Sequence, residues 1–144
     1  MTFTDDTTFG GRNPARTGLR FTIPGCPVGK PRMTQRDKWK QRPCVMAYRN
    51  WADTARLAAK QAGFVPRKGP ICLQARFYLP VPASLSVKKA AALQGKPHTG
   101  RPDVDNLCKS VMDALLPQDW SVWSLQAEKY YNDGEGSRTE VTIG

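Results

Sequence analysis

Hydrophobic and polar residues alternate along four stretches of the chain, which is the pattern of half-buried β-strands. The stretches are Leu19–Ile23 before Pro24-Gly25, Ile71–Leu79 before Pro80, Trp123–Glu128, and Thr139–Ile143. Turn-forming residues, Asn132-Asp133-Gly134, lie between the last two stretches and predict that these pair as a hairpin. Within this pattern Phe77 and Trp123 are expected in the core.

A helical period of about 3.6 residues marks three further segments. Apolar positions that include Trp51 predict a helix over 45–62, with Gly63 after it, and Leu107 to Leu115 predict another that Pro117 ends. Ser84 or Ser86 is placed to cap a short helix that reaches Leu93. The order strand, helix, strand, helix, helix, strand, strand predicts one α+β domain over residues 18–144 with a small mixed sheet packed with helices. Residues 1–17 show neither period and predict a flexible extension.

Composition adds a strong and uneven positive charge. The 144 residues carry 22 Lys and Arg against 12 Asp and Glu, a net charge of +10. Residues 1–70 hold 14 of the basic residues and 4 of the acidic ones, whereas residues 71–144 hold 8 of each. This asymmetry favours a surface that faces nucleic acid over one that faces an acidic membrane, since no amphipathic basic helix carries the charge. A basic surface that serves solubility alone is the plainer alternative.

The cysteines and the N-terminal sequence exclude several classes of protein. Four cysteines without a C-x-x-C pair, together with the single His98, do not match a zinc site or a disulfide framework, so they are expected to be reduced thiols, mostly in or near the core. No apolar signal segment or membrane-length run is present in the sequence. The sequence therefore predicts a soluble, cytoplasmic protein.

Four aspartates form the densest chemistry, because Asp103, Asp105, Asp113 and Asp119 lie within 17 residues. Carboxylates without histidine suit Mg²⁺ or Mn²⁺. If residues 103–105 are extended, Asp103 and Asp105 point to one side. If Asp105 instead begins the helix, Asp105, Lys109 and Asp113 form one stripe along it.

A purely structural interpretation of the same residues is also open. Asp105 is a good helix N-cap, Asp103 and Asp113 suit a solvated surface, and Lys109 suits ordinary helical ion pairs. The combination of an acidic cluster with a basic half favours an enzyme of phosphodiesters instead. Such an enzyme needs cations to hold the backbone and carboxylates to hold a metal.

The sequence resembles the RusA family of Holliday junction resolvases over about Leu19 to Ile143. The resemblance is carried by Pro102-Asp103-Val104-Asp105-Asn106-Leu107, Lys109, Asp113-Ala114-Leu115, and Asp119 with Val122. Upstream, Ile23-Pro24-Gly25 and Pro27-Val28-Gly29-Lys30-Pro31-Arg32 are similar to the family's opening strand and basic loop. Lys129 falls where members often carry a lysine, and Gln118 stands where many carry a second aspartate.

The resemblance implies a homodimeric, Mg²⁺-dependent endonuclease that resolves four-way DNA junctions by paired nicks in opposing strands. Such enzymes act in recombination and repair in the bacterial cytoplasm, and phage or prophage members are known. Asp103, Asp105 and Asp119 match the family's essential acidic residues, which hold the metal, and Lys109 matches its essential lysine. We expect these four residues to be catalytic.

The basic segment before the first helix supplies the candidates for contact with the DNA backbone. They are Lys30, Arg32, Arg36, Lys38, Lys40 and Arg42. Trp39 is placed either to stack on an unpaired base or to pack its loop onto the core. Two other functions stay open at this point, a non-catalytic DNA-binding module and a metal-dependent nuclease for other branched DNA or for RNA.

Overall fold

The computed structural model describes residues 18–38, 41–66 and 69–144. Its elements are β1 (Leu19–Pro24), α1 (Pro43–Gln61), β2 (Ile71–Leu79), α2 (Val87–Leu93), α3 (Val104–Leu115), β3 (Val122–Tyr131) and β4 (Arg138–Ile143). Short 3₁₀ turns lie at Gln35–Lys38 and Asp119–Ser121. These elements confirm the α+β class and the order of strands and helices, while the predicted extension over 1–17, Trp39 and Lys40 lie outside the described residues. No helix in the described part is long and apolar enough to cross a membrane.

The four strands form one mixed sheet in the order β1-β4-β2-β3. Strand β4 runs antiparallel to both β1 and β2, and β3 runs parallel to β2. The predicted hairpin of β3 and β4 is therefore wrong, because β2 lies between them. The connecting residues cross the end of β2, where the Asn132 N–H donates to the Leu79 carbonyl at 2.7 Å. The turn-forming residues thus make a crossover connection.

Strand β2 is the centre of the sheet, and all nine of its residues are buried. The predicted half-buried alternation is wrong because β2 has a strand on each side and a cover on each face. Helices α1 and α3 pack over one face, which includes Phe77. On the other face polar side chains cover one another, as in the buried Arg76, whose Nε donates to Glu128 at 3.1 Å. An antiparallel sheet commonly has one face of polar side chains. Here the polar face also includes β2 and β3, which pair in parallel.

Helices α1 and α3 pack against each other and complete the core. Trp51 is 5% exposed and Phe77 fully buried, as predicted. Trp123 is 65% exposed, so its predicted place in the core is wrong. The cause is its position in an edge strand beside the bulge that shifts the register between Ile71 and Cys72. The Ser86 hydroxyl caps α2 by accepting a hydrogen bond from the Lys89 N–H, which confirms one of the two predicted caps.

Candidate active site

Two carboxylates lie at the beginning of helix α3. Asp103 is the residue before the helix and has extended backbone angles, while Asp105 lies in the first turn. Both are exposed, and neither forms an ion pair within the described residues. Asp105 accepts the Asn106 N–H at 2.9 Å, and the Asp103 side chain caps no helical N–H. The cap position therefore belongs to Asp103, not to Asp105, and the side-chain oxygens of Asp103 are free of protein donors in the described part of the chain.

Lys109 follows Asp105 by one helical turn and is exposed. The stripe of Asp105, Lys109 and Asp113 is present by spacing, but Asp113 pairs with Lys30 of the basic segment, with Nζ and Oδ2 2.5 Å apart. Lys109 has no ion-pair partner in the described part of the chain. One free cation and two free carboxylates thus share the first half of the helix.

The basic segment packs along the same helix. The Ser110 hydroxyl donates to the Val28 carbonyl at 2.7 Å, and a side chain at Gly29 would bring its Cβ to 2.6 Å from Asn106 Nδ2. A side chain at position 29 would therefore have to displace the amide group of Asn106, which is the movable end of that side chain. These contacts hold the beginning of the basic segment beside the turn that carries Asp105.

A single buried carboxylate, Asp37, organises the middle of the basic segment. It accepts from the Thr34 N–H at 2.6 Å and from Arg42 Nε and Nη2 at 2.8 Å each. The Arg42 guanidinium, followed by the Thr34 amide, lowers the pKa of Asp37 far below its usual range. Arg42 also donates to the Arg32 carbonyl. This role could not be predicted from the sequence, because a lone acid in a basic run carries no pattern of its own.

The six predicted DNA contacts therefore differ in their surroundings. Lys30 and Arg42 are held in ion pairs with Asp113 and Asp37. Arg32 and Arg36 are exposed, and neither side chain is paired within the described residues. The side chain of Lys38, and Lys40 as a whole, lie outside the described residues, so all six stay predictions as DNA contacts.

Lys129 fastens the loop that leads into Asp103. From the end of β3 its ammonium donates to the Gly100 carbonyl at 2.5 Å and to the Pro102 carbonyl at 2.7 Å. The His98 N–H donates in turn to the Lys129 carbonyl at 3.0 Å. The resemblance indicated Lys129 by position alone, and these contacts give it a positioning role.

The titratable groups near this loop offer no nucleophile. Burial and the charge of Lys129 lower the pKa of His98, whose ring packs on Tyr131 with 4.5 Å between centroids. Burial raises the pKa of the Cys108 thiol to about 11. Cys108 is therefore a protonated core residue, as is expected of a thiol buried in apolar surroundings.

Asp119 lies at the other end of α3 from Asp103 and Asp105. It begins the 3₁₀ turn that leads directly into β3. Helix α3 has 12 residues and is therefore about 18 Å long. The structure brings Asp103 and Asp105 together and separates both from the backbone of Asp119. Among the side chains that the structure describes, no three His, Cys, Asp or Glu residues gather as a metal site.

Two comparisons with known proteins bear on this arrangement. The sequence model of the RusA family, described as endodeoxyribonuclease RusA, matches residues 24–144. The uncharacterized protein YqaN of Bacillus subtilis (strain 168) is 34% identical over 137 residues, which cover 87% of this chain and 94% of YqaN. The family match includes both ends of α3, the basic segment and Lys129.

Proposed function

Because the chain belongs to the RusA family of endodeoxyribonucleases and is thus a DNA-hydrolysing enzyme, we propose that it cuts four-way DNA junctions by paired nicks in opposing strands, with Mg²⁺ as its cation. The observation that carries the proposal is the pair of exposed, unpaired carboxylates, Asp103 and Asp105, on a helix whose side is packed by a basic loop. Phosphate-holding cations and metal-holding oxygens are what phosphodiester hydrolysis requires together.

The residues at the beginning of α3 fit a divalent cation of the Mg²⁺ type. Mg²⁺ keeps several waters and is commonly held by one or two carboxylates together with a substrate phosphate. Asp103 and Asp105 offer these oxygens at the surface, where DNA and water have access. When bound, such a cation would activate water and neutralise charge on the leaving oxygen. The family pattern also includes Asp119, but the length of α3 separates its backbone from these two residues, so the cation site that we propose within one chain consists of Asp103 and Asp105.

Lys109 and the basic segment supply the remaining interactions. Lys109 is a free point cation one turn from Asp105, so it can contact the scissile phosphate without first breaking an ion pair. Arg32 and Arg36 present exposed guanidinium groups to the flanking backbone phosphates. Lys30 and Arg42 contribute positive potential while they hold the loop in place.

Substitution of one carboxylate tests the assignment. We expect Asp103→Asn to abolish cleavage of a labelled four-way junction in Mg²⁺ while junction binding stays intact or becomes tighter, since a negative charge near phosphate is removed. Asp53→Asn is the matched control, because Asp53 is an exposed residue of α1 whose partner is Arg56 at 3.0 Å. Cleavage by Asp103→Asn at the wild-type rate would contradict the site.

The substrate is tested separately with a panel of four-way junctions, replication forks, flaps and linear duplex. Denaturing gels that resolve both strands show whether the nicks are paired and opposite. We expect the four-way junction to be cut fastest and symmetrically. Equal rates on linear duplex would assign a general nuclease, and binding without cleavage of any DNA would assign a non-catalytic module.

A further inference from the structure

A cavity of about 630 Å³ lies where the last turns of α1 and α3 meet the residues that follow α1. Buried aliphatic side chains of both helices line it, among them Ala59 and Leu115, together with Phe64 and Val65. Val65 is 73% exposed, so it offers a further apolar contact at the mouth of the cavity. The volume lies within the range of about 300–1,000 Å³ that is typical of ligand-binding clefts.

A second apolar cavity, of about 710 Å³, adjoins the first. Pro66 and Pro117 line both, so the two cavities form one continuous groove. The lining of the second cavity includes Ile71 and Trp120, and the indole of Trp120 is 76% exposed. Exposed apolar surface that is continuous in this way usually marks a site of interaction. The groove can therefore receive two apolar side chains, one in each cavity.

The charge of the groove lies at one end. In the described part of the chain, charged side chains line the first cavity and none line the second. Lys60 forms no ion pair within the described residues, and Arg56 pairs through Nη1 with the exposed Asp53. The Arg56 Nε donates to a carbonyl of α3 at 3.0 Å, which fixes this guanidinium beside the groove. Asp113, the acid of the lining, is already paired with Lys30.

We propose that this groove binds a segment of another protein in which acidic residues lie beside one apolar side chain and a second apolar side chain follows without charge. The acids would face Lys60 and Arg56 while the apolar side chains fill the two cavities. Nucleic acid fits less well, because the groove is largely aliphatic and protein–DNA interfaces are polar. A second copy of this chain, with its net charge of +10, is repelled by the two cations.

The proposed partner site is separate from the proposed nuclease site. None of Asp103, Asp105 and Lys109 lines either cavity. The inference therefore does not rest on the proposed function, and a protein that cuts no junction could still bind the acidic segment. The test for the same reason measures binding and not cleavage.

Fluorescence anisotropy with a designed probe tests the groove. The probe is a short fluorescein-labelled peptide in which two aspartates lie beside a leucine and a phenylalanine follows further on, and it is titrated with the full chain. We expect saturable binding that Lys60→Glu weakens about tenfold, since the attraction of a surface charge pair becomes repulsion. Lys88→Glu is the matched control, because Lys88 is an exposed lysine of α2 outside both cavities, and it should bind like wild type.

Changes to the probe test the same match with the protein unaltered. Asparagines in place of both aspartates should weaken binding by wild type about tenfold. Trp120→Ser should weaken binding of the whole probe but not of a probe that ends before its phenylalanine, since only the second cavity loses a contact.

Several results would overturn the proposal. The first is no saturable binding, or equal affinity for the aspartate and asparagine probes, or equal affinity of Lys60→Glu and wild type. Displacement of the probe by single-stranded DNA whose own affinity falls in Lys60→Glu would assign the groove to nucleic acid. Conversion of a dimer to monomers by the probe during sedimentation would assign it to contact between copies. Binding that occurs only after Asp5→Asn and Asp6→Asn are introduced would assign it to the N-terminal residues of this chain.

Discussion

Replacement of Lys129 by methionine tests how strongly the position of the loop before Asp103 depends on the Lys129 ammonium group. Methionine keeps an unbranched stem and removes the donor. The Gly100 and Pro102 carbonyls, at 2.5 and 2.7 Å from Nζ, then lose a charged partner. Since Pro102 directly precedes Asp103, the substitution frees the segment that positions the first proposed metal ligand.

The expected loss of stability follows from these two contacts. A hydrogen bond that involves a charged group contributes about 1.5–3 kcal/mol when buried. One of these bonds is exposed and the other is only partly buried, so we expect a combined loss of about 2 kcal/mol. With a urea dependence of about 2 kcal/mol per molar, the unfolding midpoint should fall by roughly 1 M. Tryptophan fluorescence during urea titration measures this shift.

The activity should fall more steeply than the stability. Displacement of a catalytic group by about 1 Å costs roughly 100-fold in rate, so junction cleavage under native conditions should drop about 10- to 100-fold. A higher Mg²⁺ concentration should restore part of the rate if the ligand is only mispositioned. Lys96→Met is the control, because it removes the same charge from an exposed side chain nearby. Equal urea midpoints and equal rates for the two variants would refute the positioning role.

Two further predictions concern the charged groups of the fold. Hydrogen bonds from Arg138 hold the pKa of Asp133 down to about 2, so this carboxylate stabilises the fold above pH 4 and ceases to do so as the pH falls through 2. The unfolding free energies of wild type and Asp133→Asn, about 1 kcal/mol apart at pH 7, should therefore converge near pH 2, and a constant difference would contradict the assignment. Arg36→Ala should reduce the slope of log K against log salt for junction binding by about 1 without loss of stability. Arg42→Ala should lower the urea midpoint of unfolding, because Asp37 then loses its guanidinium partner, and equal unfolding midpoints for Arg36→Ala and Arg42→Ala would count against this division of roles.

The periodic elements could be predicted from the sequence, and their pairing could not. Amphipathic period and stop signals placed α1, α3, β1 and β2 within a few residues of their observed bounds. Turn chemistry at Asn132 is local, so it shows that the chain turns there but not which strand lies beside it. The hairpin prediction failed because β4 finds two long-range partners, including β1, which alternation along the chain does not encode.

Only those parts of the candidate site that depend on local sequence could be predicted. The spacing of Asp103 and Asp105 is local, and the structure places them at one helix end. Lys129 acts through backbone carbonyls that lie 29 and 27 residues away in the sequence, and Asp37 is a lone acid whose partners are one amide and one of many nearby arginines, so neither leaves a pattern in the sequence. The exposure of Trp123 could not be predicted because a hydrophobic residue in an alternating strand is expected to face the core, whereas an edge strand beside a bulge can direct it to solvent.

The insertion of β4 between β1 and β2 also determines when the protein can finish folding during its synthesis. Leu19 pairs with Ile143, so β1 has no neighbour among the described strands until β4 leaves the ribosome. Closure of such a long-range pair is slow and comes late. The basic segment is therefore translated well before the sheet that supports the carboxylates is complete. A nascent chain on the ribosome carries its excess positive charge before it can fold into an active nuclease.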